Sequence, residues 1–300
     1  MKEVCIADLQ NCFGSENVNF FAGPNDLPSV KLSNSFGEAE ICIYAAHVMS
    51  YKRPGEVPVL WMSEKSMFIP GEPIRGGVPI CWPWFGPHAE GKFGGHGYAR
   101  LAMWDVIDAV HSPNGETSVT LQLTEKDVDE KFSPAPFRLE FTVTLGSTLV
   151  MALKVYNTGN ADLTYSGALH SYFNVADSAA IKVEGLKDCK YLDKVLNTEG
   201  VQSEDIVIDR EIDRVYCRTS GICRVVDPVF GRVIRVAKSG SSSTVVWNPW
   251  IEKSKKMPDF GDEEYHTMVC VEAANVPAAD DARTLAPGAM GELRQIISVE

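Results

Sequence analysis

A chain of 300 residues, 45% of them hydrophobic, can bury a large core, either in one big β domain or in two smaller ones. Its 40 acids against 28 bases leave a net charge of -12, which excludes the extended basic surface that non-specific binding to nucleic acid or to an anionic membrane requires. Eight cysteines, at 5, 12, 42, 81, 189, 217, 223 and 270, form no CxxC pair and no Cys/His spacing suited to zinc, and read as reduced, mostly buried thiols of an intracellular protein.

The opening MKEVCIADLQNCFG carries Glu3 and Asp8 where a signal peptide needs an uninterrupted apolar run. The longest uncharged apolar stretch, Phe141 to Leu153, is broken by Gly-Ser and is too short to span a bilayer, so a cytoplasmic protein is expected. GEVPVLWM at 55–62 reads as a strand. IRGGVPICWPWFG at 74–86 and HGYAR at 96–100 place Arg75 and Arg100 beside glycines, which let backbone approach a ligand, and beside aromatics that can wall a pocket. In so acidic a chain an arginine ordinarily pairs with a structural carboxylate, and this setting weakens that default.

Alternation dominates from there on. TSVTLQLT at 117–124 is a strand, and EKDVDEKF at 125–132 has room for a helical turn or two. RLEFTVTLGSTLVMALKVYNTG puts Leu139, Phe141, Val143 and Leu145 on one face, turns near Gly146-Ser147, and resumes with Leu149, Met151, Leu153 and Val155, the two arms of a hairpin. SGALHSYFNV ends a small-residue strand on His170, next to Tyr172 and Phe173, where a lone His is commonly a satisfied core residue. KVEGLKDCKYLDKV at 182–195 could hold another helical turn or two. Asp213 in REIDRVY and Asp259 and Asp262 in MPDFGDEEY are acids near turns, which is ordinary. GRVIRVA, STVVWNPW, TMVCVEAANV and GELRQIISVE complete the strands, and the third carries Glu272, a carboxylate that is costly inside an apolar strand unless it is paired, hydrogen-bonded or facing a cavity. No repeat, charge block or linker divides the chain, so the pattern predicts one domain over residues 1–300, all-β, built as a large antiparallel β-sandwich with its chemistry on loops and strand ends.

Six strings in this order, IRGGVPICWPWFG, HGYARLAMWDV, LHSYFNVAD, DRVY, VVWNPW and MPDFGDEEYHTMVCVEAANV, resemble the glucose-6-phosphate 1-epimerases of the aldose 1-epimerase superfamily, from about residue 30 to the C-terminus. The resemblance implies a galactose-mutarotase-like supersandwich and an isomerase that interconverts the α and β anomers of a hexose 6-phosphate, D-glucose 6-phosphate foremost. It maps the acid/base pair to His170 and Glu272, the sugar-phosphate contacts to Arg75 and Arg100, the sugar hydroxyls to Asp213, and a histidine facing the ring to His96. Relatives often have Gln immediately before that histidine, and here it is Gly95. The chemistry needs one acid toward the ring oxygen, assigned to His170, and one base toward the anomeric hydroxyl, assigned to Glu272. Reference pKa values of about 6.5 and 4.3 then require neighbouring carboxylates to favour the charged imidazole. The expected partner is a small-molecule hexose 6-phosphate bound by a monomer, with no metal, cofactor, nucleic acid or membrane. Three rivals remain open: a mutarotase of unphosphorylated aldoses, which would have little use for the two arginines, a non-catalytic sugar-phosphate sensor, and a β-sandwich adhesion module.

Overall fold

In the computed structural model, which describes residues 4–300, the alternating segments pair as antiparallel strands. Phe137–Leu145 and Leu149–Asn157 form the expected hairpin, with buried Leu139, Phe141, Val143 and Leu145 opposed in register to buried Val155, Leu153, Met151 and Leu149. Thr117–Thr124 adds to one side and Met290–Val299 to the other. The completed eight-stranded sheet runs Lys182–Glu184, Cys223–Asp227, Arg232–Ser239, Met290–Val299, Leu149–Asn157, Phe137–Leu145, Thr117–Thr124, Asp105–His111. We call it the backing sheet.

A second eight-stranded sheet, the site sheet, runs Thr198–Val201, Lys190–Asp193, Ile212–Cys217, Ser243–Asn248, Met268–Asn275, Gly167–Leu169, Ile80–Cys81, with Tyr172–Asn174 also paired to Met268–Asn275. The two sheets meet through an apolar core in which Val269, Val271 and Ala273 join Leu293 and Ile297. Because side chains alternate across a strand, Met268, Cys270, Glu272 and Ala274 must face away from that core. They are nevertheless buried, since aromatic residues and loops cover this outer face: Met268 and Cys270 belong to a cluster with Trp61, Tyr172, Trp247, Phe260 and Tyr265. Burial on both faces is why TMVCVEAANV lacks the polar alternation of the hairpin.

Several elements differ from expectation. GEVPVLWM makes only isolated bridges, Leu60 to Phe173 and Met62 to Gly76, in keeping with Pro58 lacking an N–H for a ladder. KVEGLKDCKYLDKV holds no helix; it is split into the strands Lys182–Glu184 and Lys190–Asp193 by a turn at Gly185, whose φ is +95°. STVVWNPW is a strand only to Asn248, after which Trp250–Ser254 is helical. EKDVDEKF does form two short turns, Glu125–Asp127 and Glu130–Phe132. The helix Ile6–Phe13 was not anticipated; its Ile6, Leu9 and Phe13 recur at helical spacing and pack on the core. Nor was the four-stranded sheet Val18–Ala22, Pro28–Asn34, Gly37–Cys42, His47–Lys52. Among the described residues no helix is long and apolar enough to cross a membrane.

Candidate active site

Register brings the polar residues of the outer face together. Leu169 pairs with Ala273, so His170 leaves its strand beside Glu272, and His170 Nε2 lies 3.3 Å from Glu272 Oε1. On the other side, Val245 lies opposite Glu272 and Trp247 opposite Cys270, while Asp213 lies opposite Trp247. The site sheet therefore presents Asp213, Trp247, Glu272 and His170 across four neighbouring segments. Behind them Gln295 of the backing sheet accepts from the Ser171 hydroxyl and donates through Nε2 to Val271 O at 3.2 Å, tying the turn after His170 to the opposite sheet.

The imidazole plane is set by packing. The His170 ring lies parallel to Tyr172 at 4.8 Å and 14°, and Tyr172 stacks on Trp61 at 5.7 Å and 20°. Trp247 meets both His170 and Tyr172 edge-on. Such a column of rings leaves the imidazole little freedom to tilt.

Two loops supply the cations. In the Arg75-Gly76-Gly77 turn, Gly77 has φ +56°, and a Cβ there would fall 2.2 Å from Val48 O and 2.8 Å from His47 Nε2, so only glycine fits. Fully buried His47 holds this turn through Nε2 at 2.9 Å from Gly76 O; burial lowers its pKa to about 3, so the ring is neutral and Nε2–H donates. Arg75 donates from Nε and Nη2 to the two carboxylate oxygens of Asp259, at 3.1 and 3.3 Å, and from Nη1 to the Tyr172 hydroxyl at 2.9 Å. The fork and its carboxylate are 184 residues apart in the chain. Arg100 is held differently, by Nη2 donating to Gly95 O at 2.8 Å. Among the described residues no carboxylate forms an ion pair with Arg100, and its buried Nε finds no partner.

His96 lies 5.7 Å from His170, ring to ring. Its Nδ1 accepts the Gly86 N–H at 3.3 Å, and burial, then the charges of Arg100, Arg75 and Lys194, lower its pKa to about 3. The ring is thus neutral with its proton on Nε2. Burial, followed by His96, Arg75 and Arg100, holds the pKa of His170 well below the ordinary histidine value. Burial, followed by the charge of Asp213, holds that of Glu272 well above the carboxylate range. The expectation that neighbouring carboxylates favour a charged His170 is therefore not met: the charges acting on the imidazole are cationic, and burial pushes the nearest carboxyl toward its neutral form. His170 and Glu272 form one coupled pair at 3.3 Å, and the direction of both shifts favours the carboxyl over the imidazole as the seat of a proton.

All six expected residues, Arg75, His96, Arg100, His170, Asp213 and Glu272, gather at this face. Several neighbours carry no signal in the sequence. Asp259, an acid near a turn, grips Arg75. Lys194, from the turn between two site-sheet strands, exerts its charge on His96, Asp213 and Glu272, and Lys253 Nζ comes within 4.0 Å of Asp213. Neither lysine stands in a distinctive motif; one comes from a turn and the other from the helix Trp250–Ser254, so only the tertiary fold reveals them. Two open clefts lie elsewhere, of about 670 Å³ beside Tyr98 and Phe132 and about 620 Å³ beside Tyr191 and Cys217, and neither contains the His170–Glu272 pair.

Residues 28–298 match the family model described as aldose 1-epimerase. A protein of Cenchrus ciliaris named "Putative glucose-6-phosphate 1-epimerase" is 36% identical over 260 residues, covering 83% of this chain and 78% of that one. A Salmonella typhimurium protein of the same name is 34% identical over 270 residues, covering 89% and 90%. Among solved structures, a Salmonella typhimurium protein described as a "putative mutarotase" superposes with a TM-score of 0.87 at 32% identity, over 95% of this chain and 94% of that one. A galactose mutarotase-like protein of Clostridium acetobutylicum, 15% identical with a TM-score of 0.73 over 94% and 98% of the two chains, shares the fold. With the family match and these relatives spanning most of its length, the chain belongs to the aldose 1-epimerase family.

Proposed function

We propose that this epimerase interconverts the α and β anomers of a hexose 6-phosphate, D-glucose 6-phosphate foremost. His170 and Glu272 act as the acid/base pair, Arg75 and Arg100 bind the phosphate, and His96 and Asp213 hold the sugar. The observation that carries the phosphate reading is a surplus of cation beside the pair: Arg75 is answered by Asp259, whereas Arg100 has no carboxylate partner among the described residues. A planar guanidinium in that position suits a phosphate dianion and has nothing comparable to gain from a free sugar. The names of the Cenchrus and Salmonella relatives support the same substrate.

The anomeric and ring oxygens, O1 and O5, are both bonded to C1, so two groups 3.3 Å apart can serve both. Glu272 takes the O1 proton while His170 delivers one to O5; the C1–O5 bond breaks, its electron pair stays on the ring oxygen, and an aldehyde forms. Rotation about C1–C2 presents the other aldehyde face. The C5 hydroxyl then adds back, its proton returns to His170, and Glu272 gives its proton to O1. His96 can donate to a sugar oxygen only from Nε2, because Gly86 occupies Nδ1.

Anomer-exchange NMR on glucose, galactose and mannose 6-phosphates and on the free sugars tests this reading. Exchange above the enzyme-free control should be fastest for a 6-phosphate. Equal rates on free and phosphorylated sugars would overturn the phosphate assignment, and saturable binding without exchange would make the protein a sensor.

A further inference from the structure

Opening the ring as written needs an imidazolium at His170 and a carboxylate at Glu272, while the site without an anion favours the opposite distribution. The groups facing His170 decide what could reverse it. Glu272 stands at 3.3 Å from the strand Met268–Asn275, which also brings buried Cys270. Tyr172 stacks on the ring and carries Arg75 on its hydroxyl. The loop before Arg100 contributes His96 at 5.7 Å, and Arg100 itself acts on both histidines. Three carboxylates are near. Asp259 is engaged by Arg75, Asp213 stands beside Lys253 with Lys194 in reach, and Glu272 is the competitor for the proton. The two guanidiniums are thus offset by one committed carboxylate, which leaves an excess positive charge beside an imidazole that must itself become positive.

We propose that the substrate's phosphate arms the catalytic pair: seated between Arg75 and Arg100, the dianion offsets their field at His170 and favours the imidazolium–carboxylate form of the pair that ring opening needs. The proposal rests on the reading of the two arginines as the phosphate site. The step is a transfer over one 3.3 Å contact, from carboxyl to imidazole, leaving a carboxylate and an imidazolium with no change in net charge. Across a 3.3 Å transfer only the difference in potential between the two sites counts, so a dianion about 6 Å from the imidazole and about 9 Å from the carboxyl, in a medium of effective dielectric constant about 20, favours the transfer by at most about twentyfold. Binding and activation become one event, and an unphosphorylated sugar meets a pair set for reclosure rather than for opening.

An anion supplied separately should then activate the enzyme toward a sugar that lacks one. Mutarotation of D-glucose is followed by NMR with and without inorganic phosphite, at a mildly alkaline pH where phosphite is a dianion. Saturating phosphite should accelerate enzymatic glucose turnover severalfold, by at most about twentyfold. In ¹⁵N-histidine-labelled protein it should convert the His170 signals, assigned by their absence in His170→Asn, from the neutral to the imidazolium pattern. Arg100→Met should abolish the phosphite response. If phosphite competes with glucose 6-phosphate yet neither accelerates glucose turnover nor protonates His170, the proposal is overturned and the phosphate site stands. If phosphite neither competes nor binds and phosphorylated sugars are not preferred, the phosphate reading itself fails and takes the proposal with it.

Discussion

Arg75 and Arg100 differ in what already holds them, and substitutions should separate their roles. Arg100→Met removes a guanidinium tied only to Gly95 O, so turnover of a 6-phosphate should fall by about 1.5–3 kcal/mol in kcat/KM, the usual value of a charged hydrogen-bonding partner, with little loss on the free sugar and little change in melting temperature. Arg75→Met strands buried Asp259 and the Tyr172 hydroxyl as well, so the same kinetic loss should come with a lower melting temperature. Equal losses on phosphorylated and free sugars for both variants would remove the phosphate role. For the acid/base pair, His170→Asn and Glu272→Gln should each lower kcat by about 10² to 10⁴-fold, and the double variant by much less than the product, because bond opening needs both proton transfers at once. A folded Glu272→Gln enzyme exchanging anomers at a near-normal rate would make this carboxylate structural.

Strands and turns set those side chains through contacts that reach across the molecule. Gln295 belongs to the backing sheet, yet its side-chain amide satisfies Ser171 and Val271 next to the pair. Gln295→Leu would leave both buried groups unpaired, and urea unfolding should register a loss of about 1–3 kcal/mol. A Ser171→Ala, Gln295→Leu double variant should lose less than the sum of the singles, and strict additivity would show that the link contributes nothing. The arginine turn is just as constrained. Gly77→Ala forces a Cβ against Val48 O and His47 at positive φ, so the variant should misplace Arg75 and raise KM for the 6-phosphate more than for the free sugar.

At the scale of the whole molecule, buried histidines shape stability against pH. His47 and His96 titrate at about 3 in the folded chain against about 6.5 when exposed, so between those values the unfolded state binds protons that the native state refuses. Stability from these groups is present above about pH 6.5 and is lost as pH falls toward 3, at about 1.4 kcal/mol per pH unit for each. Glu272, raised by burial, contributes in the opposite sense: its stabilisation is complete below about pH 4.5 and is lost as pH rises through its folded value. Comparing wild type with His47→Gln isolates one histidine. The variant keeps a donor for Gly76 O, and its stability should fall less steeply between pH 6 and 4, by about one proton's worth of slope. Identical slopes would mean that His47 accepts a proton in the folded state.

What the chain alone determined was whatever depends on neighbours in sequence. Alternation of period two specified the Phe137–Asn157 hairpin and the sandwich class, because each residue's face follows from the one before it. The cost of a carboxylate in an apolar run marked Glu272, and the six strings placed His170, His96, Arg75, Arg100 and Asp213 with it. The pattern failed where structure is not local. KVEGLKDCKYLDKV offers no period to either reading and became two strands because partners were available; Trp247 reaches the site through register, and Trp61 and Lys194 from a loop and a turn that only the folded chain brings there. The Arg75–Asp259 grip closes 184 residues of chain, so nothing near either residue could announce it. Tertiary structure also decided which member of the pair is the favoured seat of a proton. Reference pKa values put it on His170, whereas burial of both groups, with His96 and the two guanidiniums acting on His170 and Asp213 on Glu272, favours Glu272, and only folding assembles that surrounding charge.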